Sequence, residues 1–218
     1  TPAGKTIRIT DDPFGLSISP DKKWAVTVHN AAFTRVDLQT NTSKRFPPYG
    51  TPDKISPYGK SSFLGIVFAA DSKSFFLSGG DAGNVYQVDI VTGAVMRTLS
   101  LDGPIGEKIY KDSFASDMVL MPETNELLVL DQANYRMVRI DLGTGGLKSS
   151  TGTGRLPFGI TLSPDHQSAF VANVGMYAYP LVEGTTPENL KTQYIPYHPY
   201  GNDTKESKEG TVIEGKKI

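Results

Sequence analysis

The chain has 218 residues, 22 of them glycine and 15 proline, with no cysteine and a formal net charge of −1. These numbers exclude disulfides, thiolate chemistry and cysteine-held zinc. They argue against general nucleic-acid binding, which wants a basic excess, and no apolar run nears the ~20 residues of a membrane span.

In chain order, Thr6-Ile7-Arg8-Ile9-Thr10 alternates polar and apolar residues and reads as a strand without a partner of its own. Pro13-Phe14-Gly15-Leu16-Ser17-Ile18-Ser19-Pro20-Asp21 follows, and returns nearly intact as Pro157-Phe158-Gly159-Ile160-Thr161-Leu162-Ser163-Pro164-Asp165. Weaker copies start at Leu64 and Ser116. A unit that recurs every ~40–50 residues marks a repeat architecture.

The first unit, residues 13–46, reads as strands Phe14–Ser19, Trp24–Val28, Phe33–Leu38 and Ser43–Phe46. Residues 46–62 carry four prolines and no periodicity, so they read as a long loop between units. The second unit, 63–99, has strands Leu64–Phe68, Ser74–Ser78, Asn84–Ile90 and Val95–Leu99. Gly79-Gly80-Asp81-Ala82-Gly83 joins strand to strand, so it reads as a turn and not a phosphate cradle, which would need a following helix. The third unit, 115–151, has Asp117–Leu120, Glu126–Leu130, Arg136–Leu142 and Leu147–Thr151. In these three units the third strand ends in a Val/Ile-Asp-Leu/Ile triplet whose Asp falls at 37, 89 and 141, a constant 52-residue interval.

The fourth unit, 157–195, has Phe158–Ser163, Ser168–Ala172 and Met176–Tyr179, with Lys191–Ile195 as its outer strand. It departs from the pattern at Tyr179-Pro180, where the Asp should fall. Residues 196–218 are polar and read as a flexible tail or loop. Four short antiparallel strands per unit, with Gly, Asn, Asp and Pro at the turns, predict an all-β fold, a β-propeller of four-stranded blades. Trp24 and the phenylalanines at 14, 63, 75, 114, 158 and 170 are expected to pack between blades.

The Pro-Phe-Gly-x-x-x-Ser-Pro-Asp start, Ala172-Asn173 after a second strand, and the x-Val-Asp-x-x-Thr-Gly end of the second unit resemble the YVTN-type (YncE-like) β-propeller repeat family over residues 5–195. The opening, Pro2 to Pro13, resembles the N-terminal propeller of bacterial proteins in which an alkaline-phosphatase-type phosphoesterase domain follows. The resemblance implies about seven blades where four are visible. A first strand that closes the last blade would then be completed by partners beyond Ile218. A four-bladed ring closed on itself is the other reading. The resemblance also implies a periplasmic or extracellular location.

The blade pattern places the loops between second and third strands at one face, around the central channel. There lie His29, Asn30, Asp81, Asn84, Asp131, Asn134 and Asn173. Carboxylates and amide oxygens there would suit a small-molecule, glycan or protein ligand, or a hard divalent cation such as calcium. The same residue types also serve turns. Asp117 stands where the other units hold Gly15, Gly65 and Gly159, so its carboxylate either faces the channel or bonds the neighbouring blade. The three histidines, His29, His166 and His198, form no spaced ligand set. No nucleophile elbow, P-loop or zinc-binding helix motif is present.

The expected function is therefore a non-catalytic binding or scaffold module, joined to further blades or to a C-terminal domain of the same protein. The alternative is a lactonase- or lyase-like propeller enzyme with its site at His29, Asp81, Asp117, Asp131 and Asn134. A structural adhesion module that binds through its blade edges is a third possibility.

Overall fold

A computed structural model describes residues 4–52, 55–58 and 64–175, together with Gly184, Thr186, Glu188, Asn189 and the pairs 212–213 and 216–217. It divides into two units, 1–176 and 177–218. In the second, Val212–Ile213 and Lys216–Lys217 pair antiparallel.

The first unit is built from three four-stranded antiparallel meanders and a strand pair. Sheet one holds β1 Gly15–Ile18, β2 Trp24–His29, β3 Ala32–Asp37 and β4 Thr42–Phe46. Sheet two holds β5 Ile66–Phe68, β6 Ser74–Ser78, β7 Asn84–Asp89 and β8 Val95–Ser100. A hairpin of β9 Gly103–Ile105 and β10 Lys108–Tyr110, not expected from the sequence, precedes sheet three. Sheet three holds β11 Ala115–Met121, β12 Glu126–Asp131, β13 Arg136–Asp141 and β14 Leu147–Gly152. β15 Pro157–Leu162 and β16 Ala169–Asn173 start the fourth repeat. Its expected third and outer strands, Met176–Tyr179 and Lys191–Ile195, lie outside the described residues, as do Phe63, His198 and the tail at 196–211. The arrangement is propeller-like; no closed ring is described.

The turns explain the repeat. Ser19 Oγ donates to Asp21 Oδ1 at 2.6 Å, Asp21 Oδ1 accepts the Lys23 amide at 3.1 Å, and Ser19 Oγ accepts the Trp24 amide at 2.9 Å. The second Ser-Pro-Asp repeats this with Ser163 to Asp165 at 2.5 Å, the Gln167 amide at 3.1 Å and the Ser168 amide at 3.0 Å. The periodic aspartates cap the next turn. Asp37 Oδ1 accepts the amides of Gln39 and Thr40, Asp89 Oδ1 those of Val91 and Thr92, and Asp141 Oδ1 those of Gly143 and Thr144. Short acidic side chains suit this local bonding. The donated amides hold all three carboxyls below the usual range.

Three apolar layers fill the spaces between successive sheets. Between sheets one and two, buried Phe33 stacks on Phe46 at 4.9 Å and meets Phe75 edge-on at 4.9 Å and Tyr58 at 5.2 Å. Tyr58 comes from the proline-rich loop and donates its hydroxyl to the Gly93 carbonyl at 2.5 Å, so that loop stitches two sheets together. Leu99, Leu127, Val129, Val138 and Ile140 fill the second layer, and Leu128, Leu130 and Ile160 the third. Arginines add directional links. Arg35 Nη1 donates to the Ile90 and Val91 carbonyls of the next sheet at 2.9 and 3.0 Å. Gln87 takes that place in sheet two, and its cross-strand neighbour Arg97 reaches Leu142 O at 2.7 Å.

The packing of the named aromatics is divided. Phe75 is fully buried and Trp24 packs on the first layer. Phe114 and Phe158 are half-buried. Phe14 (37 %) and Phe170 (61 %) are exposed, against expectation; β1 and β16, which carry or adjoin them, have no described sheet on their far side. Thr6–Thr10 also departs from expectation and forms no ladder. It is held by side chains instead: Ser43 Oγ donates to the Arg8 carbonyl and Thr34 Oγ1 to Thr10 Oγ1, both at 2.7 Å.

The innermost strands β1, β5, β11 and β15 neighbour one another in turn. A Cβ on Gly15 would stand 2.5 Å from the Leu64 carbonyl oxygen, and one on Gly65 would overlap the Ser116 carbonyl oxygen. Around Gly159 the nearest atom would be Asp117 Oδ2 at 3.9 Å. Gly65→Ala is therefore expected to cost about 3 kcal/mol or to prevent folding, because backbone must move, whereas Gly159→Ala costs under about 1 kcal/mol; urea denaturation of both variants checks the contrast.

A buried acid on sheet three gives a pH signature. Glu126 Oε2 accepts Arg139 Nε at 3.0 Å and also bonds Arg139 Nη2, while its Oε1 bonds Lys148 Nζ. Lys148 and Arg139 hold its carboxyl down at about 2. Stability from this group is fully present above the ordinary glutamate range and is lost as pH falls from there through about 2. Glu126→Gln is expected to lower unfolding free energy by about 2 kcal/mol at neutral pH, with the gap to the parent closing near pH 2 in denaturation curves.

Candidate functional site

The second-to-third-strand loops all lie at the sheet ends where the inner strands begin, as the pairings Gly15↔Val28 and Ala115↔Asp131 require. Their polar residues fall into two groups. Asn30, Asp81 and Asn173 are exposed and Asn84 is half-buried. Asn173 Nδ2 donates to the Val171 carbonyl at 3.3 Å, and the Asn84 carbonyl closes the glycine-rich turn by accepting the Gly79 amide at 2.8 Å.

His29 belongs to the other group. It is 3 % exposed. Its Nδ1 lies 2.7 Å from the Asp11 carbonyl, which can only accept, so Nδ1 carries the proton. Nε2 then accepts from the Thr27 hydroxyl at 2.9 Å and also sits 3.0 Å from Thr34 Oγ1. Burial pushes its pKa down, against the pull of the Asp11 carbonyl. A neutral imidazole with both nitrogens engaged ties the N-terminal segment to sheet one and has no free ring nitrogen for a substrate or metal.

Asp131 is fully buried. Its Oδ2 accepts Arg136 Nε at 2.7 Å and Asn134 Nδ2 at 2.9 Å, and its Oδ1 accepts the amides of Phe114 at 3.0 Å and Asn134 at 3.3 Å. Burial pushes the carboxyl up, but the Arg136 guanidinium and the amides outweigh it and leave it lowered. Arg136 is 1 % exposed. Its Nη2 donates to the Leu101 carbonyl at 2.7 Å and to Ser113 Oγ at 3.2 Å, and its guanidinium lies 3.6 Å from the centre of the Tyr110 ring. The unexpected hairpin β9–β10 thus serves to lay Tyr110 over a buried ion pair. Sequence reading took Arg136 only as a strand start; an arginine five residues after a loop aspartate was the signal available.

Asp117 takes the second of the two courses open to it. It lies in a β-bulge, where Ser116 and Asp117 together face Leu130, and bulges re-aim side chains. Its Oδ1 accepts the Met118 amide and its Oδ2 the Ile160 amide on β15, both at 2.9 Å. Burial pushes the carboxyl up while these two amides pull it down, with burial prevailing. The carboxylate thus joins sheet three to β15. Among the described residues, no three imidazole or carboxylate groups come together in a way that would hold a metal ion. His166 bonds Glu123 at 2.8 Å at the opposite end of the sheets.

A different set of side chains does surround an open space. Arg8, Thr10 and Asp11 of the N-terminal segment face Thr34, Ser43 and Arg45 of sheet one across a cavity of about 420 Å³, with Tyr49 at its edge. No sequence pattern announces it, because it needs two segments with no common motif.

No family model matches the chain, and no curated protein matches it. Solved structures do. One is hydrazine synthase of Kuenenia stuttgartiensis, at TM-score 0.56 and 18 % identity, covering 80 % of this chain and 47 % of that one. Another is a functionally unknown protein from Desulfotomaculum acetoxidans DSM 771, at TM-score 0.56 and 16 % identity, covering 75 % and 50 %. The likeness is one of fold. It supports a multi-sheet, propeller-like β architecture, and the chain spans about half the length of both structures.

Because Asp131 and Arg136 are desolvated together, losing one strands the other. Asp131→Ala is expected to destabilise the chain by about 3–5 kcal/mol, and Asn30→Ala, on an exposed loop, by less than about 0.5 kcal/mol. Thermal unfolding of the two variants side by side checks the distinction between the two groups of loop residues.

Proposed function

We propose that the chain is a non-catalytic binding and scaffold module of an exported YVTN-type β-propeller protein. Its partner would be a phosphoesterase-type domain of the same protein, for which the propeller holds position or presents substrate. One observation carries the non-catalytic reading. Of the five residues the enzyme alternative would use, His29, Asp117 and Asp131 spend their hydrogen-bonding capacity on backbone amides, a carbonyl, hydroxyls and a buried arginine. A catalytic acid or base must reach a substrate proton within hydrogen-bond distance, and these groups point into the fold. The exposed Asn30, Asp81 and Asn173 suit contact with a partner surface instead. The YVTN and phosphoesterase parts of the proposal rest on the sequence resemblance.

The purified chain is expected to show no turnover of p-nitrophenyl phosphate, of a simple lactone or of a polyuronate, with or without added calcium, magnesium or zinc. Turnover that disappears in Asp117→Asn, in a variant whose thermal midpoint stays close to the parent's, would overturn the reading in favour of a propeller enzyme.

A further inference from the structure

The cavity between the N-terminal segment and sheet one has the chemistry of a ligand site, and it is separate from the strand-joining loops. Its volume of about 420 Å³ falls in the range of small-molecule sites. Two guanidinium groups line it. Arg8 is exposed, and its side chain makes no hydrogen bond or ion pair among the described residues. Arg45 is half-buried. Its Nη1 donates to the Pro47 carbonyl and its guanidinium lies 4.9 Å from the Tyr49 ring centre, which fixes its plane. Its Nε is buried without an acceptor, and Nη2 takes no hydrogen bond among the described residues. Neither arginine has a carboxylate partner there.

The hydroxyls add direction. Thr10 Oγ1 accepts from Thr34 at 2.7 Å and from Tyr49 at 3.4 Å, so its own proton is left to donate. Ser43 has given its proton to the Arg8 carbonyl, which pins the segment in place. The cavity therefore offers two forked cations and a hydroxyl donor, and one carboxylate, that of the exposed Asp11. Forked guanidiniums fit a planar or tetrahedral oxyanion, while a lone carboxylate among them would repel a bare anion and welcome a hydroxyl group.

We propose that this cleft binds a hydroxylated organic anion, a carboxylate or phosphate carried on a sugar-sized body. The anionic group sits between Arg8 and Arg45, and a hydroxyl of the body bonds Asp11. The proposal rests on the reading of the chain as a binding module, and names a site and ligand class for it.

The test is calorimetric titration of the whole chain with glucuronate, glucose 6-phosphate, inorganic phosphate and glucose, each sample then inspected by NMR for product. Glucuronate or glucose 6-phosphate is expected to bind, and which of the two binds tells carboxylate from phosphate. Glucose and inorganic phosphate are expected to bind at least about tenfold more weakly. Arg8→Gln and Arg45→Lys should each weaken binding about tenfold, the loss of one charge-assisted contact, and added salt should weaken it further. Arg8 is exposed and unbonded, so its variant should keep the parent thermal midpoint. No binding by either sugar anion, affinity unchanged in Arg8→Gln, or equal affinity for inorganic phosphate (an adventitious ion only) would overturn the site. If the site falls and no product forms, the non-catalytic reading stands without it. If a sugar anion binds and is converted, the site stands and that reading falls.

Discussion

Neighbouring inner strands in this chain approach so closely that a methyl group does not fit between them. At Gly15 and Gly65 the Cα faces the carbonyl oxygen of the strand that begins the next sheet. Much else follows from that closeness. The first unit therefore starts with a glycine near its inner strand, and Gly65 holds the same place in the second. The facing layers must be large and flat enough to meet at short range, which aromatic rings supply between sheets one and two and branched aliphatics between sheets two and three. Sheet three relaxes the constraint. There the gap towards Gly159 is wide enough for a side chain, and Asp117 fills it with two hydrogen bonds in place of backbone contact.

The polar groups follow a second rule, that backbone amides and carbonyls left over at a sheet end take side-chain partners. Asp37, Asp89 and Asp141 do this on one side, and the two Ser-Pro-Asp sets do it by a shared geometry. At the opposite ends the requirement is met individually. Sheet one uses a neutral histidine, and sheet three an aspartate–arginine pair roofed by Tyr110. Identical turns repeat because their bonding is local; these ends differ because each also anchors a segment from outside the sheet.

Legibility in the sequence followed the same division. All fourteen strands of the three full sheets and the β15–β16 pair were readable to within two residues at each end, because alternation and turn chemistry are local signals. The hairpin β9–β10 was missed: three residues a side, one of them Pro104, are too few to show a period. Thr6–Thr10 alternates like a strand, yet it is held by the hydroxyls of Thr34 and Ser43, partners that no pattern within the segment announces. The loop residues were placed at the correct sheet ends, but their burial was barely legible. One letter separates Asp81, exposed, from Asp131, sealed beneath a hairpin: Arg136 stands five residues after Asp131, where Tyr86 follows Asp81. The cleft at Arg8 and Arg45 was invisible, since it joins residues whose neighbourhood exists only after folding.

The guanidinium links of Arg35 and Arg97 run in one direction only, each from its own sheet to carbonyls at the end of a strand in the sheet that follows. The assembly consequently has a polarity along the chain, like courses of overlapping tiles. Stripping away a later sheet strands the arginine's donors, and stripping away an earlier one strands the carbonyls of the next, so the same bonds are lost from either side. In a stack whose members feel only their neighbours, each such link therefore ties the stability of one sheet to the presence of the sheet that follows it.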